Sequence, residues 1–188
     1  MKYSQTVVLK DGSACILRNG TKADGQAVLD VFVSTHAQTD FLRSLPDEIK
    51  FTAGEEGAFL QEKTESDREI ELVAELDGRI VASAGIEALG SGAKMRHRAA
   101  FGVSVDKAFW GLGLGRALTE ACVRCAKTAG YRQLELEAVA ENERAIALYE
   151  SVGFTEFGRN PRGFYFPRTG CWQELVLMRL ELDALPST

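Results

Sequence analysis

Three glycines at alternating positions, Gly111, Gly113 and Gly115, lie between a strand-like segment and a long amphipathic segment. Without side chains, such a turn lets the backbone approach another molecule closely. A helix that begins here presents unpaired N–H groups and about half a positive charge at its first turn. The pattern therefore predicts a cradle for an anion such as a diphosphate, and Arg116 could add a charged contact.

The spacing of these glycines is open to three interpretations. The simplest is a tight turn in which glycine serves only the backbone geometry. A dinucleotide site requires G-x-G-x-x-G directly after a strand, with an acidic residue about twenty positions later. Glu135 or Glu137 could be that acid, but Arg116 occupies the third glycine position, and the strand ends at Val105, well before Gly111. A nucleotide-hydrolase phosphate loop is excluded, because no Gly-Lys-Ser/Thr follows.

Hydrophobic periodicity predicts the elements that position this turn. Thr52 and Glu55 form a capping box that begins a helix, and Asp77-Gly78 between two strand-like runs predicts a hairpin. We predict strands over 15–18, 69–76, 79–87, 97–105, 134–138, 154–157 and 172–180, and helices over 23–35, 52–62, 114–129 and 142–152. A loop is predicted where Pro161, Gly163, Pro167 and Gly170 cluster. This order predicts an α+β protein with a mixed sheet, helices on its faces and one domain over residues 1–188.

Two motifs resemble those of a known family. Residues 110–115, Trp-Gly-Leu-Gly-Leu-Gly at a strand-to-helix junction, resemble the acetyl-CoA motif of the GNAT (GCN5-related N-acetyltransferase) family. Residues 142–154, which include Asn142 and Tyr149, resemble the second motif of that family. The predicted order of elements also resembles the family's acyl-CoA N-acyltransferase fold, a mostly antiparallel central sheet flanked by helices. One departure is Trp110, because the family usually has Arg or Gln at or just before this position.

The resemblance implies an N-acetyltransferase that moves the acetyl group of acetyl-CoA directly to a primary amine in a ternary complex. The acceptor would be an amino acid, a peptide N-terminus, a polyamine or another small amine. The implied general acid is Tyr149, which lies on the same helix face as Asn142 and would protonate the departing thiolate. The implied cofactor-binding residues are Val103, Ser104, Val105, Gly111, Leu112, Gly113, Leu114, Gly115, Arg116 and Asn142. No metal is implied.

The general base is less well defined by the sequence. Glu137, five residues before Asn142, matches a base position in one branch of the family. A water relay from Glu87 or Glu135 would also serve, because an amine must lose a proton before it attacks a thioester. Two other functions stay open at this point: a non-catalytic acetyl-CoA-binding module and a nicotinamide-dependent oxidoreductase.

Composition limits the setting in which the protein works. A formal net charge of -5 argues against a nucleic-acid-binding surface, and no apolar run is long enough to span a membrane. The polar N-terminal segment does not resemble a signal peptide, so a cytoplasmic location is expected. Cys122 and Cys125 lie on the apolar stripe of a predicted helix, which favours core packing over a metal or redox site. Whether the chain forms a homodimer is left open.

Overall fold

A computed structural model of the chain describes residues 1–167 and 169–183. Within them lie four α-helices and eight strands: β1 (Ser4–Val8), β2 (Ala14–Asn19), α1 (Gly25–Gln38), α2 (Ala53–Glu65), β3 (Ile70–Leu76), β4 (Arg79–Ala88), β5 (Arg98–Val105), α3 (Leu114–Thr128), β6 (Gln133–Val139), α4 (Glu143–Val152), β7 (Thr155–Phe166) and β8 (Cys171–Glu181). The strands form one sheet in the order β1-β2-β3-β4-β5-β6-β8-β7. Every neighbouring pair is antiparallel except β5 with β6. The predicted α+β class with a mostly antiparallel sheet is confirmed.

Two local signals in the sequence are confirmed. Asp77 and Gly78 have positive φ angles of 49° and 76°, the turn geometry that suits the twist of a two-residue hairpin. In the capping box, Thr52 Oγ1 accepts a hydrogen bond from Glu55 N (3.3 Å), and Glu55 Oε2 accepts one from Thr52 N (2.7 Å). Both features are set by neighbours in the chain, so the sequence alone specifies them.

Strand β1 has no counterpart among the predicted elements. Its residues are mostly exposed and show no alternating apolar pattern. The strand forms because it pairs with β2 along its whole length, from Ser4↔Arg18 to Val8↔Ala14. An edge strand forms because a partner strand is available to pair with it, and the hydrophobic periodicity of the edge segment alone does not predict that pairing.

The prediction of a loop around Pro161 and Gly163 is wrong, because β7 continues through both residues to Phe166. The register with β8 shifts between Asn160 and Phe164, and this irregularity accommodates the proline. Strand β7 lies at the edge of the sheet, where a missing N–H is tolerated. A side chain at Gly163 would collide with Leu175, so glycine lets the two strands approach each other there.

The parallel strands β5 and β6 pair over only three residues, from Arg98↔Gln133 to Ala100↔Glu135. A bidentate ion pair between Arg98 and Glu135 joins the two strands where they are paired. Beyond Ala100, the edge of β5 that faces β6 has no strand partner among the described residues. The sheet therefore opens between the two strands.

Helix α3 packs its apolar stripe against one face of the sheet. Cys122 and Cys125 are 0% and 3% exposed, so the prediction that they lie in the core is confirmed. Burial raises the pKa of the Cys122 thiol well above its usual range and that of Cys125 to about 11. Both stay protonated at neutral pH, which makes them poor nucleophiles for an acyl-enzyme. None of the helices in the described part of the chain is long and apolar enough to span a membrane.

Helices α1 and α2 pack on the opposite face of the sheet. There they enclose a small buried cluster that consists of Val28, Leu60 and Val73. The two helices approach each other at Gly25 and Gly57. A Cβ atom added at Gly25 would lie 2.7 Å from the backbone nitrogen of Gly57 and would collide with the carbonyl oxygen of Ala53.

We expect Gly25→Ala to lower the free energy of unfolding by about 1–3 kcal/mol or more, because backbone atoms cannot rotate away from the added methyl group. Gly54→Ala in α2 is the matched control, since the nearest atom to its added Cβ lies 3.8 Å away. That change should be neutral or stabilise by up to about 1 kcal/mol. Urea unfolding measures both. Equal stabilities would contradict the packing described for α1 and α2.

Candidate active site

Where β5 and β6 separate, the sheet opens into a cleft of about 440 Å³, which we call the splay cleft. This volume lies within the range of about 300–1,000 Å³ that is typical of small-molecule sites. The end of β5, the glycine turn and α4 form its walls. The predicted site residues that line it are Val103, Ser104, Val105, Gly111, Gly113, Leu114, Gly115, Arg116, Asn142 and Tyr149.

The glycine turn ends in an uncapped helix start. Gly111 and Gly113 have φ angles of 88° and 92°, a left-handed conformation that strongly favours glycine. Gly113 is the N-cap residue of α3 and provides no side-chain hydrogen bond. Among the described residues, the N–H groups of 114–116 have no acceptor, and the first bond of the helix runs from Ala117 N to Gly113 O (3.1 Å). The wall of the cleft thus carries free donors that suit an anion.

Three cationic side chains, Lys10, Arg116 and Arg144, line the same cleft. Lys10 comes from the turn between β1 and β2, and its backbone N donates a hydrogen bond to the carbonyl of Leu112 (3.0 Å). This bond joins the β1–β2 turn to the glycine turn. Leu112, which the sequence places among the cofactor-binding residues, is not among the residues that line the splay cleft, and its carbonyl binds Lys10 instead. The side chain of Lys10 passes within 4 Å of the position that a Cβ at Gly113 would occupy. Nothing in the sequence connects Lys10 with a turn a hundred residues later.

Trp110 stabilises the turn that precedes the glycines. Its indole Nε1 donates a hydrogen bond to the carbonyl of Val105 (2.7 Å), which closes the chain between the end of β5 and the glycine turn. The guanidinium of Arg144 lies over the indole ring, 5.4 Å from its centroid. The indole of Trp110 thus holds the guanidinium of Arg144, a residue of α4, beside the glycine turn.

Tyr149 extends from α4 into the splay cleft. Its ring packs edge-on against Phe101, with centroids 6.1 Å apart, and lies tilted against Phe154, with centroids 6.0 Å apart. Burial raises the pKa of the Tyr149 phenol to about 12, so the hydroxyl stays protonated at neutral pH. Asn142 caps the same helix, and its Oδ1 accepts a hydrogen bond from Ala145 N (3.3 Å).

The carboxylates that the sequence offers as general base lie outside the described splay cleft. Glu137 is exposed on β6, and its role as the base stays a prediction. Glu135 is engaged in the ion pair with Arg98. Glu87 lies 3.3 Å from Lys63 Nζ, on the face of the sheet that α1 and α2 cover.

A second cavity of about 390 Å³, which we call the sheet pocket, lies on that face. Leu42, Val103 and Ser104 line both cavities, so the two meet at the end of β5. The floor consists of small residues on neighbouring strands, namely Ser83, Gly85, Ala100, Gly102 and Ser104. Such a floor leaves room for a ligand against the sheet itself.

Glu71 of β3 enters the sheet pocket and is absent from the sequence-based predictions. It pairs with Gly85, which in turn pairs with Gly102, so the three residues form a row across the sheet. A Cβ at Gly85 would collide with Oε2 of Glu71, which shows that the carboxylate lies over this glycine. Burial raises the pKa of Glu71 to about 8, although a hydrogen bond with Ser83 favours its ionised form. Only the strand register, which the sequence does not give, brings these residues together.

The sheet order and the splay cleft together are typical of the acyl-CoA N-acyltransferase fold. The chain belongs to the acetyltransferase (GNAT) family, whose model matches residues 35–154. A curated relative is the [ribosomal protein bS18]-alanine N-acetyltransferase of Escherichia coli K12, which is 39% identical over 83 residues. This alignment covers 44% of the chain and 55% of the relative, so the chain spans about half the length of the curated relatives it matches.

Solved structures match over a larger part of the chain. A GNAT-family acetyltransferase from Streptococcus pneumoniae has a TM-score of 0.85 and 28% identity, and the match covers 90% of this chain and 99% of that one. A Salmonella typhimurium protein that was solved with its cofactor acetyl-CoA has a TM-score of 0.81 and 23% identity, with 92% and 96% covered. The resemblance that the two sequence motifs indicate is therefore confirmed for the family and for the fold.

We expect Gly113→Ala to cost about 1–2 kcal/mol of stability, because a side chain is strained in the left-handed conformation. Gly115→Ala is the matched control: its φ is not positive, and the nearest atom to an added Cβ, Leu148 Cδ1, lies at an ordinary contact distance of 3.4 Å. Urea unfolding of the two variants provides the comparison. A Gly113→Ala protein as stable as the Gly115→Ala protein would contradict the backbone geometry of the turn.

Proposed function

We propose that this chain is an N-acetyltransferase that transfers the acetyl group of acetyl-CoA to a primary amine by direct attack in a ternary complex. The observation that carries the proposal is the combination of two features in one cleft. These are an uncapped, glycine-rich helix start with free N–H groups and a half-buried, protonated Tyr149. The Salmonella typhimurium protein with bound acetyl-CoA supports the choice of cofactor.

The pyrophosphate of the coenzyme would lie at the start of α3. The free N–H groups of 114–116 would donate to its oxygens, assisted by the positive end of the helix dipole. Lys10, Arg116 and Arg144 would add positive charge around it. This arrangement replaces the Arg or Gln that the family usually has near Trp110, since the cations come from other elements.

The pantetheine arm and the thioester would lie along β5. The edge of this strand beyond Ala100 has no strand partner among the described residues, so its backbone groups, apart from the Val105 carbonyl that accepts from Trp110, can bind a ligand. An N–H group of the segment Val103–Val105 that points at the thioester carbonyl would stabilise the charge that develops on its oxygen. Asn142, at the start of α4, would provide a further contact to the coenzyme.

The reaction forms a C–N bond and breaks the C–S bond of the thioester. The amine nitrogen loses protons as it becomes an amide, and the sulfur leaves as a thiolate that must gain one. Tyr149 would donate to this sulfur, and its high pKa means that a transient tyrosinate soon recovers a proton. Glu137 remains one candidate for the base that accepts the proton of the amine.

The proposal is tested by titrating the purified chain with acetyl-CoA and with NAD in a calorimeter. We expect saturable binding of acetyl-CoA only, and release of free coenzyme A thiol when one member of a primary-amine panel is added. The panel should contain amino acids, short peptides and polyamines. Binding without thiol release for any amine would indicate a coenzyme-binding module, and binding of NAD alone would indicate an oxidoreductase.

We expect Tyr149→Phe to lower kcat by about 100-fold or more, because general acid catalysis contributes at least that much in typical enzymes. The affinity for acetyl-CoA should stay within about twofold, since the ring and its packing are retained. Tyr131→Phe is the matched control, because it removes the hydroxyl of a buried tyrosine outside the splay cleft. Turnover that is equal in the two variants would remove Tyr149 from the mechanism.

A further inference from the structure

We propose that the sheet pocket holds the acceptor amine and that Glu71 binds its ammonium group and removes a proton before the attack. This inference rests on the proposed function, since it supplies the acceptor side of the same reaction. It assigns the general base to a residue on β3 that neither motif contains. One proton moves from the ammonium nitrogen to a carboxylate oxygen of Glu71, and the freed lone pair attacks the thioester carbon. The C–S bond then breaks, the thiolate takes a proton from Tyr149, and the second proton of the nitrogen replaces the one that Tyr149 gave.

The position of the two cavities supports this role. Val103 and Ser104 line both the splay cleft and the sheet pocket. A ligand in the splay cleft and a ligand in the sheet pocket would therefore meet at this segment of β5. Phe101 lines the sheet pocket and contacts Tyr149. An amine in the sheet pocket would therefore approach a thioester held at β5 from the side opposite α3.

The row of Glu71, Gly85 and Gly102 provides a path for the amine. Neighbouring strands lie about 4.8 Å apart, so β3 and β5 are separated by about 10 Å. The Glu71 side chain reaches across Gly85 and covers part of that distance. A Cβ built at Gly102 would meet no atom within 4 Å, which leaves open space between the carboxylate and β5. A primary ammonium, or an amine with one water molecule, fits this gap.

The charges around Glu71 favour a cationic ligand. The charge of Lys63 in α2 favours the ionised form of Glu71, but its Nζ is already paired with Glu69 (2.6 Å) and with Glu87 of β4 (3.3 Å). Glu56 of α2 also acts on Glu71 and, like Glu87, disfavours its ionised form. Among the described residues, no cationic side chain forms an ion pair with Glu71. An ammonium ion would therefore be the direct ion-pair partner that Lys63 and Arg43 do not provide.

The remaining titratable groups of the pocket come from α1 and the segment after it, namely His36 and Arg43. The pKa of His36 is lowered by burial, so this side chain adds little positive charge near neutral pH. The raised pKa of Glu71, about 8, is close to the value at which a base works best near neutrality.

The acceptor class follows from the shape and charge of the pocket. One unpaired carboxylate above a floor of glycine and other small residues fits the end of a slender primary ammonium. Phe32 and Phe59 line the pocket and would contact the carbon chain next to the nitrogen. We expect primary amines on unbranched carbons to react. Quaternary ammonium compounds should not react, because their nitrogen has no proton that Glu71 could remove.

The central test compares Glu71→Gln with wild type, using the fastest amine of the panel. We expect kcat/KM for the amine to fall by about 100-fold or more, with the affinity for acetyl-CoA unchanged. Glu62→Gln, a surface carboxylate of α2, is the matched control and should behave as wild type. Glu71→Asp should recover part of the activity, because it restores a carboxylate at a shorter reach.

A second variant tests the position of the carboxylate without changing its charge. Gly85→Ala should displace Glu71, whose flexible end must move away from the new methyl group, and should lower kcat/KM. Gly92→Ala in the exposed turn after β4 is its control, since nothing lies within 4 Å of that Cβ. Unfolding curves check that both variants are folded.

A pH profile and a carboxyl NMR titration separate catalysis from structure. In wild type, kcat/KM should fall as the pH drops below about 8, because protonated Glu71 cannot accept a proton, and Glu71→Gln should lack this limb. The carbon-13 carboxyl signal that is missing in Glu71→Gln should titrate near 8 rather than 4.5 and should shift when butylamine is added.

The pKa of Glu71 in the folded state exceeds its ordinary value, so the protonated carboxyl stabilises the fold below pH 4.5, and this stabilisation is lost as the pH rises through 8.

The proposal is overturned if Glu71→Gln acetylates the amine as fast as wild type. It is also overturned if the Glu71 carboxyl titrates near its ordinary pKa and its carbon-13 signal does not shift when butylamine is added. A wild-type chain that acetylates no amine would instead contradict the proposed function, and the butylamine titration would then decide whether Glu71 binds ammonium groups.

Discussion

The incomplete pairing of β5 with β6 is the constraint on which the rest of the site depends. Two parallel strands that stay paired would satisfy each other's backbone groups and leave no room between them. Here the pairing stops after Ala100↔Glu135, and the ion pair between Arg98 and Glu135 joins the two strands within the paired part. Buried backbone groups need partners, so the free edge of β5 suits a ligand that offers amide-like hydrogen bonds.

Strand β5 also connects the two faces of the sheet. On one face, the glycine turn and α4 bring free N–H groups and Tyr149 to its edge. On the other face, α1 and α2 stand far enough from the strands to leave the sheet pocket over a floor of small residues. Residues Val103 and Ser104 belong to both cavities, so a transfer between two ligands needs no movement of either one through the protein.

The parts of this arrangement that could be predicted are those encoded by neighbouring residues. The turn at Asp77-Gly78 and the helix start at Gly113 each depend on a few consecutive positions, and the sequence shows them directly. Glu71 and Lys10 could not be found in this way, because their roles depend on register and on contacts between distant segments. For the same reason, periodicity does not predict strand β1 or the continuation of β7 past Pro161.

The distribution of charge gives the two cavities opposite preferences. The chain is acidic overall, yet Lys10, Arg116 and Arg144 gather around the splay cleft, where a polyanionic coenzyme would bind. Glu71, without a cationic partner among the described residues, lies in the sheet pocket, where a cation would bind. Because opposite charges attract more strongly in partly buried surroundings, each proposed ligand would be drawn to its own side of β5. The sheet would then separate the two ligands everywhere except at the atoms that must react.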